Sequence, residues 1–181
     1  MFRLILSLVV AILYLIVTLP VLAFLLIFRK NDRDARIRVS RPMIRWVFRA
    51  FLKISGMDLT VVGKEKIPAD QAVLYVCNHR SIFDVIATYP EFDRGTTYIA
   101  KDSLARIPLF SNWLTFIGCL YFNRDDLRDG IRMLKDAMGL IHDGISVFIF
   151  PEGTRNKDHE DRYSLLPFRG GAFHLAEKSR V

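Results

Sequence analysis

Residues 4–28 form one run of 25 residues without a charge, interrupted only by Ser7, Thr18 and Pro20. As a single helix it would be about 37 Å long, against a bilayer hydrocarbon core of about 30 Å. The run is too long for a cleaved leader, and no small-x-small cleavage pattern follows it. It therefore predicts membrane attachment. Pro20 sits well inside the run, so a kinked or re-entrant helix competes with a straight span.

Charge sharpens this expectation. The formal net charge is +7, from 26 basic and 19 acidic residues. Residues 29–53 hold nine basic and two acidic residues, which accounts for the whole excess. The chain is thus neutral apart from one basic belt. Such a belt fits nucleic acid or an anionic membrane surface. Its apolar neighbour favours the membrane and argues against nucleic acid. Basic residues on the C-terminal flank place the rest of the chain on the cytoplasmic side of a cell membrane.

Within the belt, Arg41, Arg45, Arg49 and Lys53 recur every four residues. Ile44, Val47, Phe48, Phe51 and Leu52 fill another face, and Trp46 suits an interface. This predicts a basic amphipathic helix over about 40–55, lying on anionic headgroups. The alternative is a core helix with a solvated basic side. Residues 1–55 are then an anchor and 56–181 one domain. Cys77 and Cys119 sit in apolar runs and are expected to be buried free thiols. No Cys/His cluster suggests a metal site.

Beyond the anchor, short apolar runs alternate with helical patterns. Strands are expected at 59–63, 72–77, 96–100, 119–122 and 146–150. Helices are expected at 81–88, 104–116, 127–142 and 170–177. Turn signals such as "PEFDRG" (90–95) separate them. The alternation predicts an α/β domain with a mixed, largely parallel sheet flanked by helices. Chemistry in such folds gathers beyond the C-terminal ends of the strands. Polar clusters follow three of them: "NHRSIFD" (78–84), "NRDD" (123–126) and "PEGTR" (151–155).

The first cluster ends an apolar strand on a histidine, with an aspartate five residues later. On one helix His79 and Asp84 would lie 140° apart, at 100° per residue. They can meet if His79 is in the loop and Asp84 in the first turn of the next helix. Ser81-x-x-Asp84 is also a capping-box pattern, which would make Asp84 a helix cap. As a dyad, Asp84 would fix the imidazole tautomer and leave the other ring nitrogen as a general base. Cys77 reads as a strand residue and Ser81 as a cap, so no protein nucleophile stands out. The base would then deprotonate a bound alcohol, which needs a substrate already activated for attack, such as a thioester.

The other clusters suggest anion binding. Gly153 permits close approach of backbone to ligand. Backbone N–H groups, Thr154 and Arg155 fit a phosphate cradle. Glu152 is awkward beside a phosphate and is expected to accept from Arg155, another cation or a ligand hydroxyl. Arg124 is a second clamp or a salt-bridge partner of Asp125 or Asp126. Lys101 is a fourth cation at a strand end.

Taken together, these blocks resemble the glycerophospholipid acyltransferases. Asn78–Asp84 matches their N-H-x-x-x-x-D signature, and Phe150–Arg155 their F-P-E-G-T-R block. Residues 118–124 are similar to their G-x-x-F-[IV]-x-R block, with Tyr121 and Phe122 at the apolar positions. "AKDSLARIPLFSNWL" (100–114) and "PFRGGAFHLA" (167–176) also look like family segments. The likeness runs from about residue 59 to 181. It implies acyl transfer from acyl-CoA or acyl-carrier protein to a lysophospholipid, with 1-acylglycerol-3-phosphate the preferred acceptor. It implies His79 as base and Asp84 as its orienting partner. Arg124, Glu152, Gly153, Thr154 and Arg155, with Lys101, would hold the glycerol phosphate. No bound cofactor or metal is implied. The family has a further proline-containing apolar strand where this chain ends, so the domain is expected to be C-terminally incomplete. A lysophospholipid hydrolase and a non-catalytic lipid-binding module are the competing readings.

Overall fold

In the computed structural model, which describes residues 1–92, 95–161 and 163–180, four short strands build the centre of the molecule. They are β1 (Leu74–Val76), β2 (Thr96–Lys101), β3 (Leu120–Phe122) and β4 (Ser146–Ile149). Their order in the sheet is β1-β4-β2-β3. All three pairings are parallel, so the sheet expected to be mixed has no antiparallel pair among the described residues. Parallel strands send their following loops out at one edge. The segments carrying His79, Lys101, Arg124 and Glu152 all leave by that edge. Positions 93 and 94 of the expected turn at 90–95 lie outside the described residues.

Side-chain alternation gives the sheet two faces. Tyr75, Tyr98 and Phe148 share one, with Tyr75 and Tyr98 each in register with Phe148. That face is covered by helices α2 (Leu19–Phe28), α3 (Arg33–Ser55) and α5 (Phe110–Phe116). Leu22, Leu25, Ile44, Val47, Phe48, Trp113 and Phe116 are buried there. Val147, Leu74 and Leu120 point the other way, under α6 (Leu127–His142) and α7 (Gly171–Ser179). The result is a three-layer α/β arrangement.

Local chemistry explains the helix limits. Asp32 accepts from the Ala35 N–H (2.9 Å) at the start of α3, and Gly56 (φ 70°) ends it. Asp126 caps α6 through the Arg128 and Asp129 N–H groups. Met133, Ala137 and Ile141 recur every four residues along its buried stripe. The helix expected over 104–116 is split into a 3-10 turn, Asp102–Arg106, and α5. Pro108 and Leu109, the latter at φ 61°, separate the two. Helix α4 (Phe83–Thr88) passes directly into a 3-10 turn, Tyr89–Glu91, at Pro90. No strand forms at 59–63. Leu59, Val61 and Val62 are 43%, 45% and 90% exposed, and an apolar run without a neighbouring strand has no ladder to join.

The N-terminal run folds as two helices, α1 (Phe2–Val17) and α2, bent by 44° at Thr18. The Thr18 hydroxyl donates to the Tyr14 carbonyl (2.6 Å), and Pro20 lies in the first turn of α2. Among the described residues no single helix is long and apolar enough to cross a membrane; the bent pair together passes on length and composition. Helix α1 runs antiparallel to α3. Arg3 at one end donates to the Ser55 carbonyl (3.0 Å), while Val17 and Thr18 share a groove with Pro42 and Met43.

The basic row of α3 departs from its expected placement. Arg41 donates to the Phe92 carbonyl (3.0 Å), and Arg45 and Arg49 donate to the Pro90 carbonyl (2.7 and 3.2 Å). Carbonyls at the end of the 3-10 turn lack helical partners, and guanidinium groups satisfy them. This part of the row therefore ties α3 to the domain. Trp46 remains 63% exposed.

Candidate active site

The chain leaves β1 at Cys77 and enters α4 at Phe83, and His79 sits in the loop between. Its Nδ1 lies 2.8 Å from Asp84 Oδ2. The same oxygen accepts from the Arg80 and Ser81 N–H groups (2.8 and 2.9 Å). The two readings of Asp84 are therefore both realised. It reaches back to the Ser81 N–H as a capping acid does, and it meets the imidazole with the same oxygen. The Ser81 hydroxyl accepts from the Phe83 N–H (3.2 Å), while the N-cap itself falls at Ile82, one residue later than expected, without a side-chain cap. Burial raises the Asp84 carboxyl, but the hydrogen bonds from His79, Ser81 and Arg80 outweigh it and hold the group below its ordinary range. His79 therefore faces a stable carboxylate, which accepts from Nδ1–H and leaves Nε2 as the basic nitrogen.

Three further contacts fix the histidine. Its ring stacks on Phe150 at 4.0 Å and 20°. Phe150 in turn packs on Phe148 at 5.1 Å, so the imidazole rests on the aromatic core of the sheet. The His79 N–H donates to Glu152 Oε1 (2.8 Å), and the His79 carbonyl accepts from the Asn156 N–H (2.7 Å). The ring keeps 14% exposure.

Glu152 departs from its expected position. It is only 3% exposed, and its second oxygen accepts from the Leu166 N–H (3.1 Å). Neither oxygen is directed to Arg155 or to open solvent. The acid bridges two backbone segments, one of which carries the histidine. A motif match gives the residue type but not which partner it takes, and parallel pairing of β1 with β4 brings the two loops side by side.

The cations Lys101, Arg124 and Arg155 come at or beyond the C-terminal ends of β2, β3 and β4. Lys101 ends β2 in register with Phe122, two residues before Arg124. Lys101, Thr154 and Arg155 are exposed. Arg124 is half-buried, and its Nε is buried without a protein partner. Burial lowers its pKa, and the positive charges of Arg169 and Arg155 lower it further, against Asp102 and Asp125. Asp126, offered by the sequence as an ion-pair partner, is occupied as the α6 cap. Gly153 adopts φ 69°, and a Cβ there would lie 2.7 Å from Arg169 Nε.

Arg169, Asn156 and Arg80 were not singled out by the sequence. Asn156, 5% exposed, binds the Ser164 carbonyl through Nδ2 (2.9 Å) and the Asp158 N–H through Oδ1 (2.9 Å). Arg80 donates to the Asp158, Asp161 and Ser164 carbonyls. Together they fasten the loop after "PEGTR" to the histidine loop. An Asn followed two residues later by Asp is a local turn signal, but its packing on residue 79 is a long-range fact. Neither thiol has the setting of a nucleophile. Burial pushes Cys119 up to about 11, and burial followed by the negative charges of Asp84 and Glu152 raises Cys77.

Comparison with known proteins agrees with this arrangement. The family model described as Acyltransferase matches residues 58–181. The 1-acyl-sn-glycerol-3-phosphate acyltransferase of Helicobacter pylori is 30% identical over 161 residues, 88% of this chain and 64% of that protein. The Borreliella burgdorferi protein of the same name is 31% identical over 142 residues, 78% of this chain and 55% of that protein. The Saccharomyces cerevisiae protein of that name is 31% identical over 127 residues, 70% and 41%. The chain thus spans less than two-thirds of the length of these relatives. The crystal structure of the 1-acyl-sn-glycerophosphate acyltransferase PlsC from Thermotoga maritima superposes with a TM-score of 0.69 at 26% identity, covering 99% of this chain and 72% of that one. With the family model matching residues 58–181 and a solved relative superposing over 99% of this chain, the chain belongs to the Acyltransferase family.

Proposed function

We propose that this protein transfers an acyl chain from a thioester, carried by CoA or acyl-carrier protein, to the free hydroxyl of 1-acylglycerol-3-phosphate, giving phosphatidic acid. The observation that carries the reading is the 2.8 Å contact between His79 Nδ1 and Asp84 Oδ2. With Nδ1–H committed to the carboxylate, Nε2 takes the proton of the acceptor hydroxyl. The alcohol oxygen attacks the thioester carbonyl and forms the new C–O bond. The tetrahedral intermediate collapses, the C–S bond breaks, and the proton on Nε2 passes to the leaving thiolate. Arg124 and Arg155, with Lys101, hold the acceptor's phosphate. Glu152 acts through the His79 backbone. The raised thiol of Cys77 and the engaged Ser81 hydroxyl support direct transfer over an acyl-enzyme.

The same reading places the protein on the cytoplasmic face of a membrane, where its lipid acceptor resides. Support comes from α1, whose Phe2, Leu6, Val9, Ile12, Leu13, Ile16 and Val17 are exposed. Attachment within one leaflet fits better than a span. Helix α3, antiparallel to α1, carries charges along its whole length, and a charge at the bilayer centre costs about 2.5 kcal/mol or more.

The test is release of free thiol from acyl-CoA and from acyl-carrier protein by the full-length protein in detergent. Release that requires lysophosphatidate and disappears in His79→Ala supports the transferase. Release without acceptor, with free fatty acid as product, indicates a hydrolase. No release with either donor indicates a lipid-binding module.

A further inference from the structure

The strand-end cations leave one guanidinium unused. Arg169 lies in the loop before α7, within the family-like segment 167–176 but outside the "NRDD" and "PEGTR" clusters read as the phosphate site. Its backbone N–H donates to the Pro151 carbonyl (2.9 Å), which pins it to the "PEG" turn. Its side chain lies flat on Gly153. A Cβ at 153 would stand 2.7 Å from Arg169 Nε, 3.1 Å from Cδ and 3.4 Å from Cζ. The position is therefore kept empty by an arginine that fills it.

That arginine stands in like-charged company. Arg124 senses the positive charges of both Arg169 and Arg155. Among the described residues no carboxylate forms an ion pair with any of the three. The Nε of Arg124 is buried and unpaired as well. Like charges brought together are destabilising, Asp102 and Asp125 act against this at Arg124 without pairing with it, and guanidinium forks match phosphate oxygens in pairs. An anion with several oxygens resolves both conditions.

Resting on the phosphate-bearing acceptor of the preceding reading, we propose that Arg169, seated over Gly153, is a third guanidinium ligand of that phosphate, with Arg124 and Arg155 as the other two. Gly153 is then required for the placement of a neighbour's side chain as well as for its own left-handed backbone.

The full-length protein in detergent tests this with two readouts. One is binding of sn-glycerol 3-phosphate, followed by ligand-observed NMR. The other is the KM for lysophosphatidate. Arg169→Met weakens both by about tenfold or more, the scale of one lost charge-assisted hydrogen bond. Gly153→Ala gives a similar loss, and the double variant is no worse than the poorer single one, because both changes remove one contact. Wild-type affinity in a folded Arg169→Met overturns the assignment and leaves the acyltransferase reading standing. A wild-type protein that neither binds glycerol 3-phosphate nor uses lysophosphatidate overturns both. Where Arg169→Met loses its unfolding transition, Arg169→Lys decides the matter. It keeps the charge without the fork, and undiminished affinity in that variant overturns the role of the guanidinium.

Discussion

The carboxylate of Glu152 holds the backbone N–H of His79 at 2.8 Å while its other oxygen holds the N–H of Leu166 at 3.1 Å. An acid in the most recognisable block of the chain thus serves the histidine from behind. Glu152→Gln supplies one acceptor oxygen where two are needed and turns an NH2 group toward the second N–H. We expect kcat to fall by about one to two orders of magnitude, with the acceptor KM changed less than threefold, as befits loss of an interaction in the transition state. Steady-state kinetics decide. A large rise in KM with kcat intact would return Glu152 to the substrate.

Asp84→Asn removes the carboxylate that accepts three hydrogen bonds. Turnover should drop by about 10²- to 10⁴-fold, the span attributed to a positioned base. Its pH signature is separate. The folded carboxyl lies below its ordinary range, near 3.9 for Asp, so its contribution to stability is complete above that range. That contribution is lost as pH falls through the lower folded value. Thermal unfolding of wild type and Asp84→Asn should therefore differ at pH 6 and converge in strong acid. Curves that stay equally far apart at every pH would contradict the sign.

Asn156→Ala should destabilise the loop over 156–164 by about 1–3 kcal/mol, because a buried amide that makes three side-chain hydrogen bonds, to Ser164 and Asp158, is replaced by a methyl group. Limited proteolysis gives the readout. Cleavage should appear within this loop before any other segment opens, and Arg80→Ala should expose the same site.

Arg45→Gln tests the role of the basic helix. Its guanidinium satisfies the Pro90 carbonyl at 2.7 Å, so the substitution should lower the unfolding temperature measurably. Partition onto vesicles containing anionic lipid should change less than in Trp46→Ala, whose exposed ring suits an interface. Loss of vesicle binding at unaltered stability would restore the headgroup role of this arginine.

The legible part of the chain was what short-range pattern encodes. The parallel α/β order follows from strands alternating with helices, and α6 follows from its capping Asp126 and its four-residue apolar spacing. The His79–Asp84 pairing was within reach because only five residues separate the groups, although the sequence left a helix-cap role for Asp84 equally open. Contacts set by packing order were not readable. Insertion of β4 between β1 and β2 brings Glu152 to His79, which are 73 residues apart in sequence. The same limitation hid Arg169, and it sent Arg45 and Arg49 to the lipid when their partners are carbonyls more than 40 residues away. The run at 59–63 has strand composition but no strand beside it.

The stack of rings from Tyr98 through Phe148 and Phe150 to His79 ties chemistry to cohesion. An imidazole floored by the interior inherits the interior's tolerance for heat. Loosening the middle of the sheet, even by a change as remote as one at Tyr98, tilts the ring's support before any residue around the bound lipid is touched. Loss of turnover on warming should then precede gross unfolding only by as much as those four rings can slide on one another.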